Sequence, residues 1–382
     1  MRHSLLSKFQ GTILGAVLGD STGLQYQRQL LGIPPQLADL QPILQLTKHQ
    51  QLTLSGTTLA LHSANSQMLT GADSSASGRL AVAWTKSLIR CRGLDLKDWR
   101  DTWEGFVKSE IYPGPIAEFQ SVLNPCEAAL AALPCAVFFH ENKAKLREKI
   151  LLATDVLPAE NKSELQTAIL AFGYAIARSL KQRLDPSTAI EQTIAYLKTD
   201  NASTELLLQV QTLLEQKADL ETATTHLCKS ASALQKNQGE GEKKSQTNSI
   251  VNQGNLLPIA LAFYCFLNTP EDLRLSVVRA ARCGISGQLT CALTGALSGA
   301  YNGAAAIPVE WRQLSSAAVA SRRLAQGREP LLWGTGSDAK IVELANNLFA
   351  VWAGVYNPDA ALDSAALARA VAAPYVIRPR KI

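Results

Sequence analysis

Charge is what this chain has least of. Asp, Glu, Lys and Arg make up 18% of its 382 residues, below the quarter usual in soluble domains. The hydrophobic fraction is 47%, enough for a large core, so global disorder is excluded. Alternating β-branched patterns are scarce; the two short exceptions are Gln51 to Leu54 and Val376 to Ile377. No CxxC occurs, and the seven cysteines are odd in number, which fits a reducing compartment better than a disulfide framework. Nowhere do 18 apolar residues run unbroken, the length a membrane span needs. Ala128 to Phe139 comes nearest and is interrupted by Pro134. The opening is basic and then apolar, but its apolar run is short, is spaced by glycines and ends in Gly19-Asp20, unlike a signal peptide. A cytoplasmic protein is expected. The net charge of +5 is mild for this length. Its one dense basic spot, Arg378, Arg380 and Lys381, reads as an exposed tail over 374–382 rather than a nucleic-acid arm.

Helix starts recur where strands do not. Asn124-Pro125-Cys126-Glu127 has a capping side chain, a proline at the first helical position and a glutamate placed for a capping box. Asp185-Pro186, Thr269-Pro270-Glu271-Asp272 and Asn357-Pro358-Asp359 follow the same logic, and Ser337 or Asp338 is read as a further cap. Between such signals lie stretches with apolar residues at helical spacing, such as Leu165, Ala168, Ile169, Phe172 and Ile176. Length alone allows one large or two ordinary domains; the even helical character favours a single domain over 1–382. Gln235 to Ser249 has no apolar residue and reads as a flexible surface loop, with a linker between two helical halves as the alternative.

Gly11, Gly15, Gly19 and Gly23 fall every four residues, and so do Gly295, Gly299 and Gly303. That spacing lines one helix face. Glycine costs roughly 1 kcal/mol inside a helix, so a run in register calls for compensation by close backbone approach. Two core helices with close neighbours, each other included, are expected; the alternative is coincidence in a glycine-containing chain.

The first series lies in Phe9 to Gly23, FQGTILGAVLGDSTG. It resembles the opening F-x-G-x-x-x-G-x-A-x-G-D-A-x-G of the ADP-ribosylglycohydrolase family. The second, Gly284 to Pro308, is similar to the family's C-terminal block G-G-D-[ST]-D-T followed by small residues in fours and a final Pro. The resemblance implies an all-α fold, a large single-domain multi-helix orthogonal bundle with a cleft for two magnesium ions. It implies hydrolysis of the bond joining ADP-ribose to a protein side chain or small molecule, and ADP-ribose or an ADP-ribosylated protein as the partner. In that scheme the metals position the ribose and the attacking water, as two-metal sites do.

The acidic ligands of that scheme are missing. Counting back from Gly295, the family's two aspartates and following hydroxyl residue fall on Ser286, Gln288 and Leu289. Thr290 is adjacent but turned about 100° away on a helix. The early block T-D-D-T aligns best with Leu54-Ser55-Gly56-Thr57, and the family's early glutamate falls on Gln27. Magnesium is a hard cation that gives up water reluctantly and wants charged oxygens. No cofactor, no metal site and no catalytic residue are therefore expected, and the cleft candidates are Asp20, Gln27, Ser55, Gly56, Thr57, Ser286 and Gln288. Asp20 is read as a residue that caps or bridges helices at the cleft wall. Asp73, with Ser74 and Ser75, is read as a cap for a helix from Ala76. A shifted metal site on Asp20 or Asp73 is the alternative. The middle His-Asp motif has no clear counterpart beyond Thr154-Asp155, and neither Cys135 with His140 nor His226 with Cys228 makes a catalytic or metal set. Two functions follow. One is a catalytically degenerate binding, regulatory or scaffold protein. The other is a hydrolase with an altered or absent metal site, which needs two carboxyl groups flanking the bond.

Overall fold

The computed structural model describes residues 3–30, 75–110, 123–159, 161–199, 201–238, 256–309, 311, 333–335 and 337–354. These form fourteen α-helices and no strand. In chain order they are α1 (Leu5–Leu30), α2 (Ala76–Cys91), α3 (Leu96–Glu110), α4 (Pro125–Ala131), α5 (Leu133–Phe138), α6 (Lys143–Thr154) and α7 (Lys162–Leu180). There follow α8 (Ala189–Leu197), α9 (Ala202–Glu215), α10 (Leu220–Gln238), α11 (Leu257–Asn268), α12 (Leu273–Arg282), α13 (Gly287–Asn302) and α14 (Asp338–Trp352).

The starts follow capping chemistry. Asn124 accepts from the backbone N–H groups of Cys126 and Glu127, while the Glu127 carboxylate accepts from the Asn124 N–H, closing the expected capping box. Ser337 caps α14, and Ser75 caps α2 by accepting from the Gly78 N–H at 3.2 Å. Two expected starts move. The cap of α12 is Asp272, not Thr269: its carboxylate accepts from the Leu275 N–H at 2.8 Å, while the Thr269 hydroxyl turns back to the Cys265 carbonyl. That choice puts Leu273 and Val277 into the core. Asp185 is spent in a local turn, accepting from the Ser187 N–H and hydroxyl, and α8 begins only at Ala189. Residues 235–238, read as the start of a loop, form the last turn of α10. The remainder of that loop, the tail 374–382, the cap at Asn357 and both short strand candidates lie outside the described residues.

At the centre α1 and α13 run antiparallel, backbone against backbone. A Cβ on Gly11 would stand 2.5 Å from the Gly299 carbonyl oxygen, and one on Gly15, Gly19 or Gly23 would overlap the carbonyl of Gly295, Cys291 or Gly287. The relation is mutual, since a Cβ on Gly295 would strike Gly15. The two glycine series therefore mesh with each other. Glycine's helix penalty is offset by close packing and Cα–H···O contacts that only a missing side chain permits. Gly303, at φ +72°, ends α13 in a conformation that suits glycine.

Other helices wrap this pair. α11 is buried from Leu257 to Leu267 on every face, as a helix apolar all round must be. It packs on α13 and α12; α7 packs on α4, α6 and α13; α14 lies against α1 and α2. The Leu165–Ile176 pattern of α7 is fully buried, as its spacing predicts. One contiguous cluster of buried apolar side chains runs from Phe9 to Trp352.

Candidate functional site

At one end of the glycine seam the second half of α1 meets the starts of α13 and α2. Asp20 lies there, 1% exposed. Its Oδ2 accepts from the Ser75 backbone N–H at 3.3 Å and from the Gln288 side-chain amide at 3.2 Å. Ser75 caps α2 and Gln288 sits in the first turn of α13, so two helix N-termini open onto this carboxyl. Both favour negative charge there. Its Oδ1 is buried without a partner, and so is the indole Nε1 of Trp333. That N–H lies near the same carboxyl without reaching hydrogen-bond geometry. Burial pushes the Asp20 carboxyl up to about 6, against the Ser75 and Gln288 hydrogen bonds and the Trp333 N–H, which act in the opposite direction.

The structure brings together Asp20, Gln27, Ser286 and Gln288. The aliphatic stem of Gln27 lies beside Gly287, 3.5 Å from where a Cβ would stand. Ser286 precedes α13 in the left-handed region, φ 42° and ψ 47°, and its side chain makes no capping bond. A serine held there carries strain of roughly 1 kcal/mol or more. Leu289 packs against the core instead of facing the site. Thr290 is buried and donates back to the Ile285 carbonyl at 2.8 Å, away from Asp20. Ser55, Gly56, Thr57 and Asp73 lie outside the described residues.

The other sequence candidates are placed elsewhere. Asp155 forms an exposed ion pair with Lys162 at 2.6 Å, and the Thr154 hydroxyl donates to the Leu151 carbonyl. His140 is buried in an aromatic nest with Phe9 and Trp352, and its Nδ1 is 2.8 Å from the Val137 carbonyl. Burial lowers its pKa to about 4.

Sequence reading missed Trp333. Its indole lies on Gly78 of α2, where a Cβ would overlap the ring, and it is 2% exposed at φ 55°. A glycine two residues into a well-capped helix was the one available signal, and it does not name the aromatic that needs the space.

The donor set that the described residues bring to this junction does not suit magnesium. Among the described residues no group of three or more His, Cys, Asp or Glu side chains could hold a metal ion. Asp20 is the one carboxylate at this junction of described residues. The nearest α13 side chain offers it an N–H donor, and two positive helix ends face it. A divalent cation prefers the opposite on each count.

An all-helical protein built on a glycine-meshed helix pair, with a buried polar junction at one end of the seam, is the class these features define. The family model for ADP-ribosylglycohydrolase matches residues 1–358, and the chain belongs to that family. A solved structure described as an ADP-ribosylglycohydrolase-related protein complex aligns over 91% of this chain and 99% of its own, with a TM-score of 0.51 and 15% identity. That likeness concerns the fold. No curated protein matches the sequence.

Proposed function

We propose that this protein is a catalytically degenerate ADP-ribosylglycohydrolase, a pseudoenzyme that uses the family cleft for binding or regulation without a binuclear magnesium site. One observation carries the reading: the Gln288 amide, at a position where the family resemblance calls for a metal-ligating aspartate, donates to Asp20 at 3.2 Å. Neutral Ser286, apolar Leu289 and the N-termini of α2 and α13 support it, because each lowers the local affinity for a cation. The ligand class is ADP-ribose or an ADP-ribosylated protein, carried over from the family and supported by no contact in the chain itself. A cytoplasmic location fits the seven cysteines, none of them in a disulfide. Among the described residues no helix is long and apolar enough to cross a membrane.

The test has two arms. Mono-ADP-ribosyl-arginine is incubated with the purified chain, with magnesium and with EDTA, and release of ADP-ribose is followed. No turnover is expected in either condition, and magnesium-dependent release would sink the reading. Isothermal titration with ADP-ribose in EDTA then separates a ligand reader, with micromolar affinity, from a scaffold with none.

A further inference from the structure

Four thiols gather where α10 to α13 converge, with Cys291 near enough to Asp20 to feel its charge: Cys228, Cys265, Cys283 and Cys291. Two of them touch. The sulfurs of Cys265, on α11, and Cys283, the C-cap of α12, are 3.7 Å apart. A disulfide is about 2.05 Å long, so closure asks each sulfur to move by under roughly 1 Å. We propose that Cys265 and Cys283 form a peroxide-sensitive dithiol, and that its closure to a disulfide is felt at the start of α13, where Gln288 meets Asp20.

The two thiols are unlike. Cys283 is 8% exposed and Cys265 0%, so an oxidant reaches Cys283 first. Hydrogen bonding from Cys265 favours the Cys283 thiolate; the Thr224 hydroxyl and the Arg279 guanidinium act in the same direction, against burial. Burial pushes Cys265 well above the ordinary thiol range, so it keeps its proton until it is called on. A thiol drawn toward its thiolate beside a resolving cysteine is one part of what peroxide sensing needs; access is the other, and Cys283 has more of it than Cys265.

The chemistry balances with hydrogen peroxide as the oxidant. The Cys283 thiolate attacks one peroxide oxygen; the S–O bond forms, the O–O bond breaks, and the departing hydroxide takes up a proton as water. The product is a sulfenic acid. Cys265 then attacks that sulfur, the S–S bond forms, the S–O bond breaks, and the hydroxyl leaves as a second water with the Cys265 proton. Two thiols are oxidised and one peroxide is reduced to two waters.

The link to α13 is short. Cys283 is followed directly by Gly284 at φ +68°, and Ser286 at φ 42° ends the turn. A sulfur drawn toward α11 pulls on the two left-handed residues that aim the first turn of α13. This inference stands apart from the ligand reading, since neither thiol touches Asp20.

The folded full chain is treated with hydrogen peroxide, alkylated and digested without reductant. The expected product is a Cys265–Cys283 peptide pair lacking two hydrogens and restored by dithiothreitol. In Cys265→Ser the pair is lost and Cys283 is trapped by dimedone; in Cys283→Ser, Cys265 stays unmodified. Hydrogen exchange of the amides in 284–290 should change on oxidation in the wild-type chain and stay constant in Cys265→Ser. Consumption of Cys91 or Cys228 while the pair remains reduced overturns the dithiol. Unaltered exchange in an oxidised chain overturns the coupling to α13.

Discussion

The Gln288 side-chain amide donates to Asp20 Oδ2 at 3.2 Å, joining α13 to α1 between residues 268 apart in sequence. The bond occupies one oxygen of a buried carboxyl and presents that carboxyl with a donor. A second carboxylate in its place turns attraction into repulsion.

Gln288→Glu is expected to lower stability at pH 7 by about 1–3 kcal/mol, because a half-buried carboxyl then repels the buried one of Asp20. The loss should shrink at pH 5, where one of them holds a proton. Urea denaturation at both pH values measures it, and an equal loss at both would show that the two groups do not interact.

Asp20 itself gives the pH dependence a sign. Burial raises its pKa from 3.8 to about 6. Between those values the folded chain binds the extra proton, so stability falls as pH rises through the window, by about 3 kcal/mol in all. Asp20→Asn keeps an oxygen for the Ser75 N–H and removes the titration. It should match the wild type near pH 4 and exceed it at pH 7. A variant weaker at pH 7 than at pH 4, relative to the wild type, would mean that the Asp20 charge is matched by a cation.

His140 works in the opposite sense. Its pKa is lowered from 6.5 to about 4 by burial, so its contribution is present above pH 6.5 and is lost as pH falls toward 4, again about 3 kcal/mol. In the wild type the two slopes nearly cancel from pH 4 to 6. His140→Phe, which suits the ring nest, should expose the Asp20 slope: the chain gains stability on mild acidification. Thermal melts across pH 4–7 read this directly, and a flat profile in the variant would contradict it.

Gly15→Ala and Gly295→Ala each drive a methyl into the opposing helix carbonyl. Losses of about 1–3 kcal/mol or more are expected, since neither backbone can retreat without the other. Gly105, on α3, has open space around it, and Gly105→Ala should gain about 0.5–1 kcal/mol from helix propensity. If all three variants lose alike, the seam is not what sets the cost.

The seam was legible because its signal is local and periodic: glycines four apart leave few physical explanations. The buried stripe of α7 and the capping box at Asn124 were legible for the same reason. Caps failed where two candidates stood within one turn. Thr269 and Asp272 can both cap, and the core chose between them through Leu273 and Val277. At the junction, Asp20, Gln27, Ser286 and Gln288 could be assembled from two motifs. Trp333 could not, because its role depends on a space at Gly78 that only the folded chain creates.

The meshing of α1 with α13 also dictates an order of events during synthesis. The first helix leaves the ribosome with its partner still untranslated, and at about 5–20 residues per second the wait for Gln288 is on the order of tens of seconds. Throughout that interval the apolar flank of α1 has no permanent cover. The core cannot close around α1 until the last third of the chain has been made, and the exposed flank of α1 is what a chaperone would cover in the meantime.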